Sequence, residues 1–136
     1  ARSRDEMRIG VKQRLIAESL SGRFGGSMGE VKAVSDADFE SAVNADEWVL
    51  VDFWAPWCGP CKALGPVLEQ VAADSPVVIA KVNTDTDSMN AARLGVRGIP
   101  ALFLFHNGQM VANQTGMVPK PALMSWLGQH MTAKDL

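Results

Sequence analysis

One stretch constrains this chain more than any other: Leu50-Val51-Asp52-Phe53-Trp54-Ala55-Pro56-Trp57-Cys58-Gly59-Pro60-Cys61-Lys62. It opens as an apolar, β-rich run with the composition of a buried strand, and Pro56 stops it. Two cysteines follow, separated by Gly59 and Pro60, and Leu64, Val67, Leu68 and Val71 then recur at helical spacing. Cys58 is therefore expected at or just before the first turn of a helix. Orphan backbone N–H groups point outward there, and the helix dipole favours negative charge. A thiolate is stabilised in such a position. Cys61, within one turn, is close enough to attack a mixed disulfide on Cys58 and close it into an intramolecular one.

A C-x-x-C pair is also half of many zinc sites. This chain has only two cysteines, and His106 and His130 follow far behind without paired ligand spacing. Pro60 also suits the opening turn of a helix better than a zinc knuckle. A redox dithiol is thus favoured over structural zinc or an inert staple, and no metal is expected.

At 136 residues the chain is one domain by size. Its net charge of −2 argues against a nucleic-acid binder working through a basic surface. No apolar run is long enough to span a bilayer, so a soluble protein without membrane insertion is expected. Two cysteines do not define a compartment, since a reactive dithiol works in reducing and oxidising ones alike.

Residues 1–29 stand apart. They carry six basic residues against three acidic ones, a net of +3 that leaves −5 for the rest. Met7, Val11, Leu15, Ile16 and Leu20 suggest a short amphipathic helix, and Gly22, Gly25, Gly26 and Gly29 a flexible link. A loosely packed extension is the simplest reading. A docking arm or the remnant of a basic targeting segment is the alternative, although the acidic residues fit a transit peptide poorly. The first residue, Ala1, fits a processed N-terminus and an expression scar equally.

The compact domain is expected over 30–136. A short strand at 31–34 precedes a helix capped by Ser35 that carries Phe39, Ala42 and Val43. The strand at 48–54, a helix from about Pro60 to Ala73 and a second apolar strand at 77–82 form a βαβ unit with a parallel core. A short helix over 88–94 ends at Gly95, and Val96 to Pro100 leads into a strand at 101–105. Asn107-Gly108 is a strong hairpin signal returning through 109–114, Gly116 marks a bulge or a close backbone approach, and Pro119 opens a last helix to about Met131. Together these predict an α/β fold.

Asp52 lies within an otherwise apolar strand, where a carboxylate is expensive to bury. A buried acid of raised pKa handling protons near Cys61 is the favoured reading, over an acid reaching water at a strand end. Lys81, the lone charge in the next strand, is its expected neighbour. Trp57 is expected half exposed; His106 and His130 are expected at the surface, without a catalytic role.

The run DFWAPWCGPCK from Asp52 to Lys62, with Gly98-Ile99-Pro100 further on, resembles the thioredoxin family. The likeness covers about residues 30 to 132. It implies the thioredoxin fold, a central mixed β-sheet flanked by helices in three α/β/α layers. It also implies a protein disulfide reductase, a thiol–disulfide oxidoreductase that holds no bound cofactor and is recharged by an NADPH-dependent thioredoxin reductase. On that resemblance Cys58 attacks and Cys61 resolves, while Asp52 and Lys81 match the family's buried carboxylate and its partner lysine. Pro100 matches a cis-proline facing the dithiol. Trp57, Gly59, Pro60, Gly98, Ile99 and Gly116 match the substrate-docking surface. Ala101 follows Pro100 where a threonine is usual. The expected partners are thioredoxin reductase and disulfide-containing proteins. A cytoplasmic monomer is expected, or an organellar one if 1–29 descends from a targeting segment. The alternatives are a redox-inactive binding module on the same scaffold, or a thiol oxidase or isomerase in an oxidising compartment.

Overall fold

The computed structural model describes residues 29–131. The amphipathic segment expected before Gly29 lies outside the described residues. Nine elements follow in order. They are β1 (Val31–Ala33), α1 (Phe39–Ala45), β2 (Trp48–Trp54), α2 (Gly59–Asp74), β3 (Val78–Asn83), α3 (Met89–Arg93), β4 (Ala101–His106), β5 (Gln109–Thr115) and α4 (Lys120–His130).

The five strands form one sheet in the order β1-β3-β2-β4-β5. β1 and β2 both pair parallel to β3, whereas β4 pairs antiparallel to β2 and β5 antiparallel to β4. The sheet is mixed because α2 carries the chain across to a parallel neighbour, while Asn107-Gly108 reverses it in two residues. Asn107 and Gly108 both have positive φ, 51° and 85°, the conformation that a primed hairpin turn requires.

Strand alternation divides the core into two layers. Val49, Val51 and Phe53 of β2 face Phe39 and Val43 of α1 and Ala91 of α3. Trp48 and Leu50 turn to the other face, against Leu64, Leu68 and Val71 of α2 and Leu123 and Leu127 of α4. Burial on both faces explains why β2 reads as an almost unbroken apolar run. α2 continues through Pro66, within the span expected from Pro60 to Ala73. The missing N–H would have bonded the carbonyl of Lys62, an exposed residue whose backbone water can satisfy.

Several local expectations need correction. Ser35 does not cap α1. The helix begins at Phe39 with Asp38 in the cap position, and the Ser35 hydroxyl instead accepts the Asp38 N–H at 3.2 Å within a tight turn. The bulge falls not at Gly116 but opposite Leu104 and Phe105, where β5 carries an extra residue. Gly116 is a left-handed position with φ of 105°. His106 is half-buried, stacked on Trp48 with ring centroids 4.0 Å apart.

The turn before α1 has a long-range task. The Asp36 carboxylate accepts the backbone N–H groups of Met89 (2.9 Å) and Asn90 (3.1 Å) and the side-chain amide of Asn90 (2.9 Å). Its own N–H donates to Asp87 at 2.9 Å. Burial alone would raise its pKa, but these donors outweigh that and hold the carboxyl below the usual 3.8. Asp36 thus caps α3 from across the sequence, where no local residue does. Asp36→Ala is expected to lower stability by about 1–2 kcal/mol, read in urea as a lower midpoint at unchanged m-value. An unaltered midpoint would mean that water replaces the carboxylate at no cost.

Candidate active site

β2 ends at Trp54, and four residues later the chain enters α2. Cys58 occupies the N-cap position in extended conformation, with φ −87° and ψ 112°. Its sulfur accepts the backbone N–H of Cys61 at 3.1 Å, as a capping oxygen does elsewhere. Cys58 and Cys61 are joined in a disulfide whose Cα atoms lie 5.2 Å apart, so the sulfurs are within bonding reach without movement of the helix. Cys61 is buried on the inner face of α2, while Gly59 and Pro60 between them are exposed.

The Ile99–Pro100 peptide bond is cis and lies against this pair. The Ile99 carbonyl oxygen is 3.8 Å from Cys58 Sγ, and the Ile99 side chain packs against the two cysteines and Ala55. On the far side of this strip the Pro100 carbonyl accepts the Gly116 N–H at 2.8 Å. A Cβ on Gly98 would stand 3.4 Å from the Thr115 methyl, so glycine keeps the backbone there uncovered. Gly59 has open space around it, and its backbone does not require glycine. Trp57 is 70% exposed rather than half exposed, and its indole N–H donates to Asp85 at 3.0 Å. Sequence reasoning missed Asp85, although an exposed indole N–H beside a polar turn is a usable signal. A groove of about 350 Å³ runs beside the strip, lined by Trp57, Ala91, Ala92, Val96, Gly98 and Ile99 among others.

Asp52 follows Trp48 and Leu50 on the face of β2 that packs on α2. β2 runs toward the start of α2 and α2 runs back over the sheet. The row therefore places Asp52 one step beyond Leu50, toward the helix turn that holds Cys61. Its side chain is fully buried, and neither carboxylate oxygen has a hydrogen-bond partner among the described residues. Burial pushes its pKa up to about 7 from the usual 3.8, with a smaller opposing pull from Lys81. Lys81 sits directly opposite on β3, as expected. Its ammonium stands 4.8 Å over the Trp54 ring and reaches a second groove of about 520 Å³ along the β1 edge. Of the residues singled out from the sequence, Cys58, Cys61 and Ile99 pack together, Trp57, Gly98 and Ile99 line one groove, and Asp52 pairs with Lys81 across the strands. Among the described residues, no group of three or more His, Cys, Asp or Glu side chains converges as a metal site would.

The thioredoxin family model matches residues 30–129. A thioredoxin of Haemophilus influenzae is 50% identical over 107 residues, 76% of this chain and all of that relative. One from Rhodospirillum rubrum is 45% identical over 100 residues, covering 71% of this chain and 96% of its own. Among solved structures, a mutant thioredoxin from Halobacterium salinarum superposes with a TM-score of 0.74 at 32% identity, covering 80% of this chain and 97% of that one. The chain belongs to the thioredoxin family. With its C-x-x-C pair at bonding distance, this thioredoxin-family chain is a thiol–disulfide oxidoreductase of the protein disulfide reductase type.

The raised pKa of Asp52 has a signed consequence for stability. The folded state holds this proton more tightly than the unfolded chain, so stability is lost as pH rises from about 4 to about 7. Above that range the full cost, on the order of 4 kcal/mol, is present. Relative to wild type, Asp52→Asn in the oxidised protein is expected to gain stability across this interval and hold the gain at higher pH. Chemical denaturation at a series of pH values reads the difference. A difference that does not change with pH would show that Asp52 titrates normally.

Proposed function

We propose that Cys58 is the attacking cysteine, that Cys61 resolves, and that Asp52 takes the proton from Cys61. The observation that carries this is the N-cap geometry, in which the Cys61 N–H points at the Cys58 sulfur. That donor and the start of α2 favour negative charge on Cys58, whereas Cys61 lies inside beside an apolar cluster. In the reduced protein the Cys58 thiolate attacks one sulfur of a substrate disulfide. A Cys58–substrate disulfide forms and the first substrate thiolate leaves, to be protonated by solvent. Cys61 passes its proton to Asp52, and its thiolate attacks Cys58 Sγ. The second substrate thiolate is released and the Cys58–Cys61 disulfide remains. Two electrons have moved from the dithiol to the substrate.

A carboxylate titrating near neutrality is a serviceable base at physiological pH. Lys81, opposite it, favours the charged form. The Gly98-Ile99-Pro100 strip offers backbone to an extended substrate segment as a strand edge does, with Trp57, Gly59, Pro60 and Gly116 around it. No bound cofactor enters these steps. The family assignment supports an NADPH-dependent thioredoxin reductase as electron donor and disulfide-containing proteins as substrates. It also supports a monomeric domain over 30–136 acting in the cytoplasm. No helix among the described residues is long and apolar enough to cross a membrane.

Insulin reduction with dithiothreitol tests the activity, and trapping tests the roles. Cys61→Ser is expected to accumulate a mixed disulfide with a protein substrate, and Cys58→Ser to form none. Trapping by Cys58→Ser instead would reverse the assignment. Asp52→Asn is expected to slow release of that mixed disulfide in the Cys58/Cys61 protein, with the first attack little changed. Identical release rates from pH 6 to about pH 9 would remove Asp52 from proton transfer. Equilibration against glutathione is expected to show a reducing couple. A potential near roughly −120 mV would mark an oxidant instead.

A further inference from the structure

One wall of the groove beside the dithiol has little support of its own. Thr84, Ser88, Ala91 and Ala92 line it, on the turn after β3 and on α3, with Trp57 beside them. α3 has five residues and buries only Asn90 and Ala91. A helix that short does not hold itself in water, and Ser88 at its N-cap makes no side-chain bond.

Asp36 holds this stretch from 51 residues earlier in the chain. Its backbone N–H donates to Asp87 Oδ1 at 2.9 Å and pins the end of the turn. Its carboxylate accepts the N–H groups of Met89 and Asn90 and pins the start of the helix. It also accepts the side-chain amide of Asn90. The oxygen of that amide accepts Arg93 Nε at 3.1 Å and Nη2 at 2.9 Å, which carries the link to the last residue of α3. Between these points the turn reaches across the groove. Asp85 accepts the Trp57 indole N–H, and the Thr84 N–H donates to the Trp54 carbonyl at 2.8 Å. Neither Asp36 nor Asn90 lines the groove itself.

We propose that Asp36 and Asn90 are positioning residues for substrate docking: through Asp87 and Arg93 they fix the stretch 84–92 as one piece, and so set that wall of the groove against the Gly98–Pro100 strip. The proposal rests on this groove being the docking site for disulfide substrates. A wall already in place costs a bound segment nothing, whereas a wall ordered only on binding takes its entropy cost from the affinity. That cost falls on binding and not on sulfur exchange, because the bond that caps Cys58 lies within α2. A disulfide too small to lie along the groove escapes it.

The test follows single turnovers of the reduced full chain with two substrates, insulin and 2-hydroxyethyl disulfide. Asp36→Ala and Asn90→Ala are each expected to raise the half-saturating insulin concentration by about fivefold, the worth of a lost cap, at an unchanged limiting rate. Rates with the small disulfide should match wild type. Where Asp36→Ala does not fold, Asp36→Asn, which keeps one acceptor, should shift the insulin value in the same direction. Leu127→Ala, in the core on the other face of the sheet, separates positioning from lost stability. It should lower the urea midpoint and leave the insulin value as in wild type. An insulin value unchanged in the Asp36 and Asn90 variants, or raised as much by Leu127→Ala, would overturn the proposal. So would equal slowing of both disulfides, which would put the effect at the dithiol. Ala92→Glu, which places a side chain in the groove itself, should also raise the insulin value. If it does not, the docking reading fails and the proposal with it. If it does while the Asp36 and Asn90 variants do not, the proposal alone fails.

Discussion

The site depends on one short contact, the Cys61 N–H directed at the Cys58 sulfur from inside the first turn of α2. A helix must expose its first N–H groups, and most helices satisfy one with a serine or aspartate oxygen. Here sulfur takes that place, so the donor that completes the helix also favours charge on Cys58, the cysteine we propose as nucleophile. Pro60 sits near the start of the helix, where its absent N–H costs nothing. The rest of the sheet serves to hold that turn against the Ile99–Pro100 strip.

Asp52 is the counterweight. A buried carboxylate with no hydrogen-bond partner is an unfavourable thing for a fold to keep, and burial on both sheet faces gives it no outlet to water. Its value lies in the pKa that burial creates. Lys81 limits the shift from the neighbouring strand while its ammonium reaches over Trp54 toward solvent. A carboxyl that titrates near neutrality suits the base we propose, which must take a proton and release it again.

Much of this was legible in the sequence because it is local. Val-rich runs gave the strands, the Leu64–Val71 spacing gave α2, and Asn107-Gly108 gave the hairpin, since each depends on residues a few positions apart. The dithiol and the anomalous Asp52 could be read from their neighbours, and the resemblance to thioredoxins joined them to Lys81 and Pro100. What escaped was long-range. Ser35 looked like a cap because its local pattern is that of one, but the turn it starts is shaped by Asp36 reaching α3. Asp85 binding Trp57 and His106 stacking on Trp48 likewise depend on the strand order.

Competitive alkylation of the reduced protein tests the central assignment most directly. At about pH 7, limiting iodoacetamide followed by peptide mass analysis reports which sulfur is the available thiolate. Cys58 is expected to be modified first and almost alone, with Cys61 reacting only after denaturation. Equal modification of the two cysteines, or modification of Cys61 first, would contradict an N-cap nucleophile backed by a buried resolving thiol.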